Sequence, residues 1–204
     1  MNYNNEFNDA AKQLVLKGKI IDSKGWVPAT SGNFSIRLTD NTIAITVSGK
    51  HKGNLVTDDI MLINANAESL DGKKPSAESL LHTSIYQRFS QARAVLHPHS
   101  LNSVVLSRLY NDKIVLKDYE LLKAFSHLTS HENELVIPIF NNDQNILRLA
   151  ELIDLYFSQH TCYAYIIAGH GLYTWGETLD IAYRQLEALD FLFACELQLS
   201  ALKR

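Results

Sequence analysis

Predicted helices and strands alternate irregularly along this chain, and several predicted strands occur as pairs joined by short turns. One pair is the run 33–38 followed by the run 42–48, and another lies within 162–175, where glycines at 169 and 171 mark the connection. Apolar residues at helical spacing predict helices around these strands, the longest at 4–23, 145–160 and 178–203. The pattern therefore predicts an α/β protein with three layers (α/β/α) around a mixed, largely antiparallel sheet.

The composition of the chain is that of an ordinary globular domain. It has 204 residues, 46% of them hydrophobic and 20% charged, and we expect one domain covering 1–204. The net charge of −3 gives no reason to expect nucleic acid or a membrane as a partner. The sequence contains no secretory signal pattern and no run of about 18 apolar residues. Cys162 and Cys195 lie in apolar segments and are expected to be free thiols, so a cytoplasmic location is predicted.

Two histidines end a predicted strand in the segment AVLHPHS at 94–100. Residues two apart on a strand share a face, so His97 and His99 can converge on one point. This pair alone is equally compatible with packed or surface histidines. His170 lies between two glycines after another apolar strand, where it can reach the same edge of the sheet. Three neutral imidazoles would form a zinc site with an open position for substrate.

Two acidic residues are candidates for proton transfer. Glu78 follows Ser76, the expected N-cap of a helix over 76–89, and the helix dipole alone could explain a carboxylate there. His82 shares a helix face with Glu78 and is expected to be packed or hydrogen-bonded rather than a metal ligand. Glu120 lies in the helical segment YELLKAF, and residue type alone favours a solvated surface charge there over a catalytic role.

Three short turns offer hydroxyls and backbone N–H groups of the kind that bind anions. They are TSGN at 30–33, VSGK at 47–50 and PSAE at 75–78, with Lys50 and Lys52 nearby. Each turn alone is ordinary, but three beside a metal site indicate a phosphate pocket. The chain has neither a P-loop nor a dinucleotide-binding glycine motif, so a nucleotide fold is not indicated.

The order SGNFSIR, ITVSGK, KPSAE, HPHS and GHGLYTWG resembles the class II aldolase family of zinc enzymes across nearly the whole chain. The resemblance implies a class II aldolase-like fold and one Zn²⁺ per subunit, bound by His97, His99 and His170. It also implies a homotetramer with each site near a subunit boundary. The residues that match phosphate-binding positions of the family are Asn33, Ser48, Gly49, Ser76 and, more weakly, Lys52.

Within the family, the segments YELLKAF, VIPIFNNDQ and LEALDFLFACEL are most similar to its dehydratase branch, which eliminates water from a phosphosugar. That similarity implies a zinc-dependent lyase in which Glu120 is the acid/base. In the aldolases of the family the glutamate matching Glu78 has this role, so the division between the two carboxylates stays open. We assign proton transfer to Glu120 and a substrate or water contact to Glu78.

Two other functions are compatible with parts of the same pattern. A phosphosugar aldolase or 4-epimerase would use the same zinc site to break or remake a carbon–carbon bond. A non-catalytic binding module occurs in the family as the head of a cytoskeletal protein, but that module lacks the zinc histidines. Metal content and the identity of the product distinguish these alternatives.

Overall fold

A central sheet lies between two layers of helices in the computed structural model, which describes residues 3–203. Its strands are β1 (Asn33–Arg37), β2 (Ile43–Thr46), β3 (Ile60–Ile63), β4 (Ala94–His97), β5 (Lys113–Leu116), β6 (Leu135–Phe140), β7 (Ala164–Ile167) and β8 (Gly171–Gly176). The α-helices are α1 (Tyr3–Ser23), α2 (Ser79–Arg88), α3 (Leu101–Leu109), α4 (Ile146–Gln159) and α5 (Leu179–Leu202). Short 3₁₀ helices occupy Lys52–Asn54, Thr57–Asp59 and Glu120–Ala124.

The strand order is β3-β2-β1-β4-β8-β7-β6-β5. Neighbouring strands are antiparallel except β6 and β7, which are parallel. The predicted mixed, largely antiparallel sheet is therefore confirmed. Both predicted hairpins also form, as β1–β2 and β7–β8. The first turn includes Asn41 with a φ of 67°, a left-handed conformation that asparagine tolerates.

Successive residues of β4 point into two different cores, one on each face of the sheet. Leu96 packs with Phe34 of β1 against α1, α3 and α5, whereas Val95 packs with Tyr165 of β7 against α2 and α4. This alternation is the period of two that a strand imposes on its side chains. The two buried faces confirm the predicted α/β/α layers.

The start of α2 differs from the prediction. We expected Ser76 to be the N-cap, but the helix begins at Ser79 and Glu78 has the N-cap position. The reason is a separate turn before the helix, in which Ser79 N donates to Ser76 O and Glu78 N donates to Ser76 Oγ, at 3.0 and 3.3 Å. Glu78 therefore lies at the end of a turn rather than inside the first helical turn.

Within residues 3–203, no helix has the length and apolar character that crossing a membrane requires. Cys162 is buried, Cys195 is half-buried, and both are free thiols, as expected. Burial raises the pKa of the Cys162 thiol to about 11, which makes it a poor nucleophile at neutral pH.

Replacing Phe34 with alanine tests the core on the α1/α5 side. Phe34 is fully buried, so Phe34→Ala is expected to lower the free energy of unfolding by about 3–5 kcal/mol. The matched control Val56→Ala alters a side chain that is 57% exposed. It should change the free energy by no more than about 0.5 kcal/mol. Denaturant unfolding measures both, and equal effects would contradict the assigned core.

Candidate metal centre

His97 is the last residue of β4, and its side chain is completely buried. Its Nδ1–H donates to the main-chain oxygen of Leu172 at 2.9 Å, and its ring stacks on Tyr173 with 3.9 Å between ring centroids. The hydrogen bond places the proton on Nδ1 and leaves a lone pair on Nε2. A histidine held in this way is typical of a metal ligand with a main-chain partner behind it.

His99 and His170 direct their Nε2 atoms towards that of His97. The Nε2 of His97 lies 3.0 Å from that of His99 and 3.4 Å from that of His170. His99 is positioned by its backbone N–H, which donates to the oxygen of Trp26 at 2.8 Å. The three predicted ligands therefore meet at one point, although they come from two separate segments of the chain.

The β7–β8 turn brings His170 to this point because of its glycines. Gly169 has a φ of 65°, which favours glycine. Gly171 lies so close to the end of β4 that an added Cβ would be 2.4 Å from the oxygen of Pro98. That oxygen accepts a hydrogen bond from the backbone N–H of Leu172 at 3.0 Å. Glycine at 171 is therefore a condition for the approach of the two segments.

Glu78 lies beside the three histidines and forms a four-residue group with them. Its Oε1 lies 2.7 Å from His170 Nε2, and its Oε2 lies 3.7 Å from His97 Nε2 and accepts from Asn33 Nδ2 at 2.6 Å. Burial alone would raise the pKa of Glu78, but hydrogen bonds from His170 and Asn33 to its carboxylate favour the charged form and lower the pKa. One donor atom from each of Glu78, His97, His99 and His170 lies within 4.8 Å of the other three.

The donor set fits a divalent metal ion. Burial lowers the pKa of His99 to about 4 and that of His97 well below its ordinary value, so both imidazoles are neutral at pH 7. Neutral imidazoles offer lone pairs, and the carboxylate of Glu78 supplies negative charge. Nitrogen and oxygen donors of this kind suit zinc and also other divalent transition metals.

A cavity of about 240 Å³ adjoins this group. It is lined by Glu78 and His99 and by all the residues predicted to bind phosphate, namely Asn33, Ser48, Gly49, Lys52 and Ser76. The three turns predicted to bind anions thus meet in one place. Ser31 also lines the cavity, and its buried Oγ has no hydrogen-bond partner among the described residues. The sequence marks the TSGN turn as a candidate but gives no reason to favour Ser31 within it.

Lys52 is the positively charged residue of this lining, and its side chain is 1% exposed. Its Nζ donates to the main-chain oxygens of Thr30 and Lys50 at 3.0 and 2.6 Å, so it joins two of the turns. Burial lowers the pKa of Lys52 to about 8, against a smaller opposite effect of Glu78. The ammonium is therefore largely charged at pH 7 and can attract an anion.

Glu120 lies outside both the four-residue group and the cavity lining. It begins the 3₁₀ helix after the edge strand β5, which is three strands away from β8. Its side chain is 73% exposed and pairs with Lys123 at 2.6 Å, and this pairing lowers its pKa. The preceding residue, Tyr119, donates its hydroxyl to Glu196 of α5 at 2.7 Å.

Solved structures with this fold include an L-fuculose 1-phosphate aldolase, with a TM-score of 0.79, 20% identity and coverage of 96% of this chain and 88% of that one. Another is the L-fuculose-1-phosphate aldolase from Thermus thermophilus, with a TM-score of 0.74 and 24% identity over 97% of this chain and 96% of that one. At these identities the similarity establishes the fold, which is the class II aldolase-like fold predicted above.

Sequence relatives are much closer. A protein from Methylococcus capsulatus named methylthioribulose-1-phosphate dehydratase is 54% identical over 203 residues, which cover 99% of this chain and 100% of the relative. A protein of the same name from Pseudomonas aeruginosa is 49% identical over the full length of both chains. The model of the class II aldolase and adducin N-terminal domain family matches residues 12–199. The chain therefore belongs to the class II aldolase and adducin N-terminal domain family.

Proposed function

We propose that this protein is a zinc-dependent dehydratase that converts 5-methylthioribulose 1-phosphate into 5-methylthio-2,3-dioxopentyl phosphate and water. The observation that supports this proposal most is the group of three histidines and Glu78 beside a cavity lined by the predicted phosphate-binding residues. The names of the relatives at 54% and 49% identity supply the substrate. We place the reaction in methionine salvage and the protein in the cytoplasm.

The cavity residues would bind the phosphate end of the substrate. Ser48 and Ser76 offer hydroxyls, Gly49 offers an exposed backbone N–H, and Lys52 offers an ammonium group. Asn33 gives one N–H of its amide to Glu78, which leaves the second for the cavity. Phosphate bound here would orient the sugar chain with its reacting carbons towards the three histidines.

A divalent metal held by His97, His99 and His170 would polarise the carbonyl and neighbouring hydroxyl oxygens of the substrate when bound. Glu78 would contact the substrate or a water at the same point. The reaction begins when a base removes the proton from C3 and produces an enediolate. The hydroxyl of C4 then leaves as water with a proton from an acid, and the resulting enol becomes the ketone at C3.

We assign the proton transfers to Glu120 supplied by a neighbouring copy of the chain. Glu120 is exposed and lies away from the cavity of its own subunit, so it can serve a site only across a subunit boundary. An apolar face beside the metal centre supports such an assembly. Leu101, Val105 and Leu109 share one face of α3 and are 73%, 36% and 43% exposed. We propose a homotetramer, as the family resemblance implies.

Metal analysis and product identification test the proposed function together. The wild type should contain about one zinc per chain and release the diketone phosphate and water, because three histidine ligands complete a catalytic site. His97→Ala should lose both metal and turnover, whereas His160→Ala, at the exposed histidine that follows α4, should keep both. Products from carbon–carbon cleavage would indicate an aldolase instead. A metal-free, inactive wild type would indicate a binding module.

Substitution of Glu120 tests the assignment of proton transfer. Glu120→Gln should retain zinc and lower kcat by roughly 10²- to 10⁴-fold, because it removes the acid/base but no ligand. Mixing this variant with His97→Ala subunits should restore part of the activity, since some sites would combine an intact metal centre with an intact Glu120. A near-normal rate in Glu120→Gln would transfer the role to Glu78, and no restoration on mixing would contradict a shared site.

Lys52 and Lys50 form a matched pair for testing the phosphate pocket. Lys52→Met removes the buried ammonium and should raise KM roughly 10- to 100-fold, the loss expected for a hydrogen bond to a charged group. Lys50→Met alters a side chain that is 56% exposed and paired with Asp59, and KM should change little. Zinc content should stay the same in both. Equal KM values for the two variants would place the phosphate elsewhere.

A further inference from the structure

A chain of side-chain hydrogen bonds leads from Glu78 into the core between β1 and α2. Asn33 Nδ2 donates to Glu78 Oε2 at 2.6 Å, and Asn33 Oδ1 contacts His82 Nε2. The other ring nitrogen of His82, Nδ1, lies 2.7 Å from Ser35 Oγ, which in turn lies 2.7 Å from Tyr86 Oη. The carboxylate at the metal centre is thus linked to four residues that are themselves buried.

The direction of each hydrogen bond follows from the chemistry at the Glu78 end. A carboxylate only accepts, so the amide nitrogen of Asn33 faces it and the amide oxygen faces His82. His82 therefore donates from Nε2–H, and its unprotonated Nδ1 accepts from the hydroxyl of Ser35. The single proton of Ser35 is then used, so Tyr86 donates to Ser35. In each of these hydrogen bonds, the acceptor is therefore the group nearer to Glu78.

His82 connects the two ends of this series of hydrogen bonds. Its Nδ1 faces Ser35 in the core, and its Nε2 faces Asn33, which contacts Glu78. Its side chain is fully buried, and burial lowers its pKa to about 3 despite the opposite effect of Glu78, so it stays neutral. A neutral imidazole has one donor and one acceptor, and both are used here. Its ring also lies edge-on to Tyr173, the residue that stacks on His97, with 5.7 Å between centroids.

We propose that His82 is a positioning residue, which fixes the amide of Asn33 and through it the orientation of the Glu78 carboxylate at the metal centre. His82 touches neither the proposed ligands His97, His99 and His170 nor the cavity among the described residues. Its effect is therefore on the geometry of Glu78 rather than on metal capture. This inference rests on the proposed function, because it gives Glu78 a defined place beside the substrate.

The wild-type protein itself provides the first test. Nitrogen-15 NMR of the histidine rings should show His82 with a protonated Nε2 and an unprotonated Nδ1, both without metal and after addition of Zn²⁺. Both hydrogen bonds described above require this tautomer. A proton on Nδ1, or a doubly protonated ring at pH 7, would overturn the proposal whatever the activity of the protein.

Two substitutions separate positioning from simple packing. His82→Leu fills the space without either hydrogen bond, whereas His82→Gln retains one donor and one acceptor at similar positions. Both should keep a stoichiometric metal. His82→Leu should lower kcat about 10- to 100-fold, the loss expected from a displaced group. His82→Gln should recover most of kcat.

The visible spectrum of the Co²⁺-substituted protein gives a readout that is independent of turnover. The spectrum of His82→Leu should shift from that of the wild type towards that of Glu78→Gln, because both changes alter the carboxylate beside the metal. Tyr165→Phe, the control, removes a buried hydroxyl with no hydrogen-bond partner in the described residues and should leave the spectrum unchanged.

The outcomes distinguish this inference from the proposed function. If the wild type does not dehydrate the substrate, the proposed function fails, and the Co²⁺ spectra and the tautomer still decide whether His82 positions Glu78. An unchanged spectrum and rate in His82→Leu would overturn the positioning role. A similar loss of rate in His82→Leu and His82→Gln would also overturn it. If His82→Leu does not fold, two other results decide the proposal. They are the comparison of His82→Gln with the wild type and the tautomer of His82 in the wild type.

Discussion

The approach of β8 to the end of β4 is the constraint on which the metal centre depends. Two main-chain groups of Leu172 hold β8 against the end of β4. Its N–H donates to the oxygen of Pro98, and its oxygen accepts from the ring of His97. The first bond brings the His170 turn to the two other histidines, and the second fixes the tautomer of His97. Both require that residue 171 has no side chain, because an added Cβ would collide with the oxygen of Pro98. A single glycine thus determines whether three imidazoles converge.

Much of this arrangement could be predicted from the sequence because it follows from local rules. The period of two along a strand places His97 and His99 on one face, and glycines on both sides of His170 indicate a turn. Residue type predicts that three turns bind anions, and the structure brings residues of all three into one cavity. The irregular alternation of predicted helices and strands, with several strands paired as hairpins, is sufficient to predict the three layers and the mixed sheet.

The parts that could not be predicted depend on competition between local interactions or on contacts distant in sequence. Ser76 could cap a helix or close a turn, and only the hydrogen bonds of Glu78 and Ser79 show that it closes a turn. The sequence of 113–118 has no decisive periodicity, and pairing with β6 makes its first four residues strand β5. The chain of hydrogen bonds through His82 joins β1 to α2, residues 49 positions apart, and no short motif reveals it.

The partner of His97 is a main-chain oxygen, whereas the partners of Glu78 are side chains. Point mutation replaces side chains and leaves the main-chain oxygen in place. Substitution of Asn33, His82 or Glu78 therefore leaves the acceptor that orients His97 in place. The orientation of His97 and the orientation of the Glu78 carboxylate can therefore vary independently as the sequence diverges, because the first depends on the main chain and the second on side chains.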